Sequence, residues 1–208
     1  NNGETGSVTF IGTVSPAGGN LKEPVTESTK KAARCFYALS QNRADSKRYP
    51  AIDTLDSYSK YLEYPEFIDY SKEKLDENWV GLVNEARNVL VRGKETEEQI
   101  NILGDDSVPI DYHVTLWKSE FVDFVILQQD AFDKIDATTS LERQEYMLKK
   151  VINVTRSEFK FEGFEEVAIY FKRLINVFRQ MNYTVFKSEE FHKAEEEANA
   201  VLEERIIK

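Results

Sequence analysis

"FEEVAIYFKRLINVF", residues 164–178, decides the fold. Phe164, Val167, Ala168, Phe171, Leu174, Ile175 and Phe178 recur at intervals of three and four, so a helix places them all on one face. An apolar stripe of this kind packs on other helices. The same period returns on both sides of it. Leu75, Trp79, Leu82, Val83, Ala86, Val89 and Leu90 form one set, and Val114, Trp117, Phe121, Phe124 and Val125 a second. Leu141, Leu148, Val151 and Ile152 form a third, and Phe191, Ala194, Ala198, Val201 and Leu202 the last. The chain is therefore expected to be helical after about Tyr58, as a bundle. The acidic run Glu195–Glu197 fits a solvated helix face.

The region before Tyr58 reads differently. "SVTFIGTVS" (7–15) is rich in β-branched and aromatic residues and predicts one strand. "PAGGN" (16–20) breaks it into a loop. A helix is expected from Val25–Thr26, capped by Thr26 or Ser28, with Ala32, Ala33, Phe36, Tyr37 and Leu39 on its apolar side. It ends before Pro50, because proline disfavours helical geometry at Tyr49. "RYPAIDTLDSYSKY" (48–61) resembles neither a core strand nor a regular helix.

Composition narrows the function. The 208 residues include 41% hydrophobic ones, enough for one or two domains with a real core. Asp and Glu outnumber Lys and Arg 37 to 27, a net charge of -10 that disfavours non-specific nucleic-acid binding. No run of 18 apolar residues suggests a membrane span, and no signal peptide is evident. The first residue is Asn1 rather than Met, as expected for a piece of something longer. Cys35 is the one cysteine, which leaves no disulfide within the chain; a reduced thiol half-buried in a helix is expected. His113 and His192 lack ligand spacing, so no metal site is expected. Two glycosylation-type triplets, at Asn153 and Asn182, have no support from other secretion signals.

The motif search gives no catalytic machinery. No G-x-x-x-x-G-K-[ST] loop, G-x-G-x-x-G, H-E-x-x-H or nucleophile elbow occurs. "GETGS" (3–7) lacks the Gly-Lys pair, and Gly93-Lys94 is followed by Glu95, which has no hydroxyl for a metal ion. Catalytic residues in this chain: none.

Three stretches taken together point to a family. "GSVTFIGTVSPAGGNLKEPVT" (6–26) resembles the last strand and following loop of the nucleotide-binding domain in the catalytic A subunit of V-type and archaeal-type rotary ATPases. "YPAIDTLDSYSKY" (49–61) resembles the segment leading from that domain into a helical C-terminal domain. "LQQDAF" (127–132) is similar to the family's block near the nucleotide base. Order and spacing agree for all three; the likeness is weakest after about Phe159.

The resemblance implies a mainly α chain. A helical C-terminal domain (59–208) would follow the last strand and helix of an α/β nucleotide-binding domain (1–58). It implies ATP or ADP with Mg²⁺ in the full-length subunit, with none expected on this chain alone. The phosphate loop and metal-binding strand would lie upstream of Asn1. The implied partners are B subunits of the alternating ring and the central rotor stalk, in a cytoplasmic head peripheral to the membrane. Tyr49 would place its ring on the adenine, and Phe132 would be a second wall; the competing reading makes both rings junction core. Gly104, Asp105 and Asp106 would form an acidic corner against the rotor, although an ordinary capped turn explains the same residues. A hinge is expected near Asp56–Tyr61. The rival functional reading is a free-standing helical interaction module without a nucleotide role.

Overall fold

A computed structural model of the protein describes Gly3 and residues 6–207. It is mainly helical. The α-helices are α1 (Pro24–Ala32), α2 (Gln41–Asp45), α3 (Pro65–Lys74), α4 (Trp79–Leu103), α5 (Ile110–Val122), α6 (Leu141–Arg156), α7 (Phe164–Asn182) and α8 (Glu189–Glu203). Two strands, β1 (Cys35–Leu39) and β2 (Ile52–Ser59), pair antiparallel.

The core lies among α4 to α8, where the stripes meet. Phe171, Leu174 and Phe178 of α7 are fully buried, and so are Phe121 of α5, Val151 and Ile152 of α6, and Phe191 of α8. Ile169, off the α7 stripe, is exposed, as the helical period requires. Phe121 and Phe178 meet edge to face at 4.9 Å, the geometry that aromatic quadrupoles favour. Each such ring contributes roughly 1.5–3 kcal/mol by leaving water. Hydroxyl caps start two of these helices: Ser140 Oγ accepts from Arg143 N, and Ser188 Oγ accepts from Phe191 N. After α6, an isolated bridge from Phe159 to Ile206 ties down the C-terminal end.

The N-terminal third departs from expectation in four ways. Residues 7–15 form no strand; Val8, Phe10 and Ile11 stand almost wholly exposed. Strand-forming side chains do not make a strand without a neighbouring ladder to pair with. Helix α1 starts at Pro24, just before the expected Val25–Thr26. Neither Thr26 nor Ser28 caps it; the buried Thr26 hydroxyl donates to Glu23 Oε1 at 2.9 Å. The helix ends at Ala32, where Ala33 turns to extended geometry (φ -87, ψ 143), so Cys35, Phe36, Tyr37 and Leu39 lie on β1 and not on a helix. Finally, the polar stretch 52–59 is a strand after all.

That strand is irregular. Cys35 pairs with Ser59 and Phe36 with Tyr58, but Ala38 pairs with Asp53 and Leu39 with Ile52. The intervening residues of β2 bulge out of the ladder. Asp53 Oδ1 accepts from the amides of Leu55 and Asp56, which turns the bulge. Ser57 Oγ takes up the Ala38 amide at 2.9 Å. Arg87 of α4 donates to the carbonyls of Thr54, Leu55 and Ser57, fastening the bulge to the bundle.

Candidate functional site

The turn after α2 carries Tyr49. Ser40 Oγ caps α2 by accepting from Arg43 N, and the chain then turns through Lys47 (φ 57) to the cis Tyr49–Pro50 bond. Tyr49 is 54% exposed, so it is not core. Its hydroxyl donates to Ala44 O at 3.4 Å, a long contact, and its carbonyl accepts from Gln129 N at 2.9 Å. That last bond joins the Tyr-Pro turn directly to the "LQQDAF" stretch.

The stretch leaves α5 through one π-helical turn, Asp123–Leu127. Asp136 then organises the loop. Asp130 N donates to Asp136 Oδ2 at 2.6 Å, and Gln129 Nε2 donates to Asp136 O at 2.6 Å. Burial pushes the Asp136 carboxyl up; the Asp130 amide and the Arg143 charge only partly oppose this. Phe132 sits at the loop's tip, 99% exposed. The structure thus brings the segments of Tyr49 and Phe132 together and puts neither ring in the junction core.

Four charged residues hold this region, and sequence reasoning missed all of them. Arg48 makes a two-pronged contact with Glu120 (2.9 and 2.7 Å) and reaches Asp123 Oδ2 at 2.8 Å. Arg43 takes the other Asp123 oxygen at 2.7 Å. Asp123 is buried, so its charge needs both partners. Arg48 also lies over the Phe124 ring, 4.8 Å from its centroid. Burial pulls the Arg48 guanidinium down, but Glu120 and Asp123 together hold it above its usual range. A basic residue directly before Tyr-Pro was visible in the sequence; its partners, 72 and 75 residues away, were not.

The opposite end of α5 carries the corner. Gly104 ends α4 with φ 87, a left-handed geometry that glycine adopts without strain, and its amide donates to Ile100 O. Asp105–Ser107 form a short 3-10 turn, and Pro109 precedes α5. Asp105 and Asp106 are exposed, beside the exposed Ile102 and Leu103. His113 is buried under the turn, stacked on Phe164 at 5.0 Å, and its Nε2 donates to Asp105 O at 3.1 Å. Among the described residues no cluster of three or more metal-ligating side chains occurs, and no helix is long and apolar enough to cross a membrane.

Two family models match the chain: the nucleotide-binding domain of the ATP synthase alpha/beta family over residues 1–59, and the C-terminal domain of V and A type ATP synthase over residues 68–162. The V-type ATP synthase alpha chain of Borrelia duttonii is 41% identical over 94% of this chain. The chain belongs to the V/A-type ATP synthase family. A second relative with the same name, from Protochlamydia amoebophila, is 35% identical over 99% of the chain. The chain spans about a third of the length of these relatives, 32% and 34%. A solved chain described as a unique ATP synthase subunit NeqB from Nanoarcheaum equitans shares 19% identity over 68% of this chain and 32% of its own, with a TM-score of 0.49. The first match ends with β2 at residue 59, and the second begins at residue 68, within α3.

Proposed function

We propose that the chain is the C-terminal part of the catalytic subunit of a V/A-type ion-translocating rotary ATPase. Residues 1–58 complete the nucleotide-binding domain and 59–208 form the helical domain. In the full subunit, ATP or ADP is bound with Mg²⁺, B subunits alternate with it in a ring, and the rotor stalk runs past its helical end. The assembly is a soluble cytoplasmic head peripheral to the membrane. The chain's own contribution is to close the adenine side of the site and to couple it to rotation. It has no phosphate loop and hydrolyses no ATP alone.

One observation carries this reading. The Tyr49–Gln129 bond joins two segments that each present a solvent-facing aromatic ring, Tyr49 and Phe132. Exposed aromatics are costly to leave in water and suit the flat π-face of a base, where stacking is worth about 1–3 kcal/mol. Gly104, Asp105 and Asp106, in the turn that leads into α5, offer an exposed acidic corner to a rotor.

The test is the nucleotide KM of the reconstituted complex. Tyr49→Ala raises it about fivefold or more, the lower end of the stacking range, while Tyr49→Phe leaves it near the parent. Because the ring binds ground state and transition state alike, kcat changes less. An unchanged KM in Tyr49→Ala removes the adenine role.

A further inference from the structure

We infer that Arg48 is a positioning residue for Tyr49, locking the aromatic wall to the C-terminal end of α5 through Glu120 and Asp123. This rests on the adenine-wall reading of Tyr49 and adds how the wall is held.

Tyr49 has little of its own to fix it. Its ring is more than half exposed, its hydroxyl contact is long, and its carbonyl bond to Gln129 restrains the backbone only. The neighbouring Arg48 is held by three partners. Both its terminal nitrogens meet Glu120, one also meets Asp123, and the guanidinium plane covers Phe124. Glu120 belongs to α5 and Asp123 to the π-turn that continues it. Arg43, from the helix before the turn, fills the remaining Asp123 oxygen. Two guanidinium groups thus face two carboxylates, with each Asp123 oxygen paired. A planar fork on a carboxylate fixes direction as well as distance, which an ammonium does not. The chain leaving Arg48 therefore takes its orientation from α5.

This geometry ties the aromatic wall to one end of α5, and the acidic corner leads into the other end. The helix α5 has 13 residues and is about 20 Å long. A tilt of α5 moves Glu120 and Asp123, and Arg48 carries the movement to the next residue, Tyr49.

The experiment is a double-mutant cycle on the reconstituted complex, reading KM for ATP and kcat separately. Arg48→Lys keeps the charge and loses the fork. It should raise KM about threefold or more with kcat nearly unchanged, and Glu120→Gln should do the same more weakly. In a Tyr49→Ala background both effects should vanish, because a residue that acts through the ring has nothing left to position. Circular dichroism and assembly of each variant confirm that it is folded. An Arg48→Lys KM equal to the parent, or an effect that persists in full without the ring, overturns the positioning role while leaving the adenine wall intact. If Tyr49→Ala alone leaves KM unchanged, the adenine wall itself is wrong and the inference falls with it.

Discussion

Ser119 of α5 lies so close to Gly93 of α4 that a β-carbon at position 93 would overlap both Ser119 Cβ and Oγ. The two helices that the corner joins, α4 and α5, meet at this bare spot. Ser119 is buried, so its side chain has no open space to retreat into. Gly93→Ala gains helix propensity but forces the helices apart, a net loss of about 1–3 kcal/mol. Adding Ser119→Gly should recover part of that loss. Urea unfolding of the single and double variants measures both, and a fully stable Gly93→Ala would mean that the helices slide freely.

Arg87 predicts a local effect. Its guanidinium meets three carbonyls of the β2 bulge with a planar fork that a lysine ammonium cannot reproduce. Arg87→Ala should cost about 1 kcal/mol globally, because the bonds are partly exposed. Its larger signature is faster amide exchange over residues 52–59, with α7 unchanged. Arg87→Lys should resemble alanine more than the parent.

These two contacts show what a sequence conceals. The α7 stripe was legible because Phe171, Leu174 and Phe178 repeat with the helical period, and periodicity is a local property. The end of α1 was not, because neither glycine nor proline marks the break at Ala33, and Phe36 and Tyr37 continue the spacing of Ala32 and Ala33. Strand β2 was hidden by its own bulge, because Asp53 at its edge and Asp56 within it give the stretch the polarity of a loop. For the strand expected over residues 7–15 the composition was persuasive, yet pairing decides whether a strand forms. At the candidate site, the Tyr-Pro step drew notice to Tyr49, whereas the Arg43–Asp123 pair spans 80 residues and leaves no local trace.

Glu195 of α8 ties that helix to α6 and gives the protein a pH signature. Burial raises its pKa, but Lys150 at 2.7 Å, with the Tyr146 hydroxyl and His192, outweighs burial and holds the carboxyl below its usual 4.5. Tyr146, half-buried and facing that carboxylate, is pushed up and stays a donor. A depressed acid stabilises the fold fully above its unfolded pKa and loses that contribution as pH falls through the folded value. Glu195→Gln should therefore lower stability by roughly 1 kcal/mol at pH 7 and match the parent increasingly below about pH 4. Thermal melts from pH 3 to 7 follow the difference; a constant gap would show that the loss is packing and not charge.

The corner separates shape from charge. Asp105 and Asp106 are exposed, and surface charges contribute little individually, often below about 1 kcal/mol. What fixes the turn is its backbone and one imidazole: the left-handed Gly104, the Ser107 amide on Gly104 O, and the His113 ring donating to Asp105 O. None of these needs an aspartate side chain. The double variant Asp105→Ala with Asp106→Ala should keep the turn, and in the reconstituted complex most of its ATPase activity and rotation. Deleting residues 106–108 shortens the corner without touching a buried apolar stripe, so helical content should survive while torque falls or hydrolysis uncouples from rotation. Single-molecule rotation distinguishes the two variants. If the deletion turns the shaft with parental torque, the corner is only the connection between α4 and α5, and the push on the rotor comes from another surface.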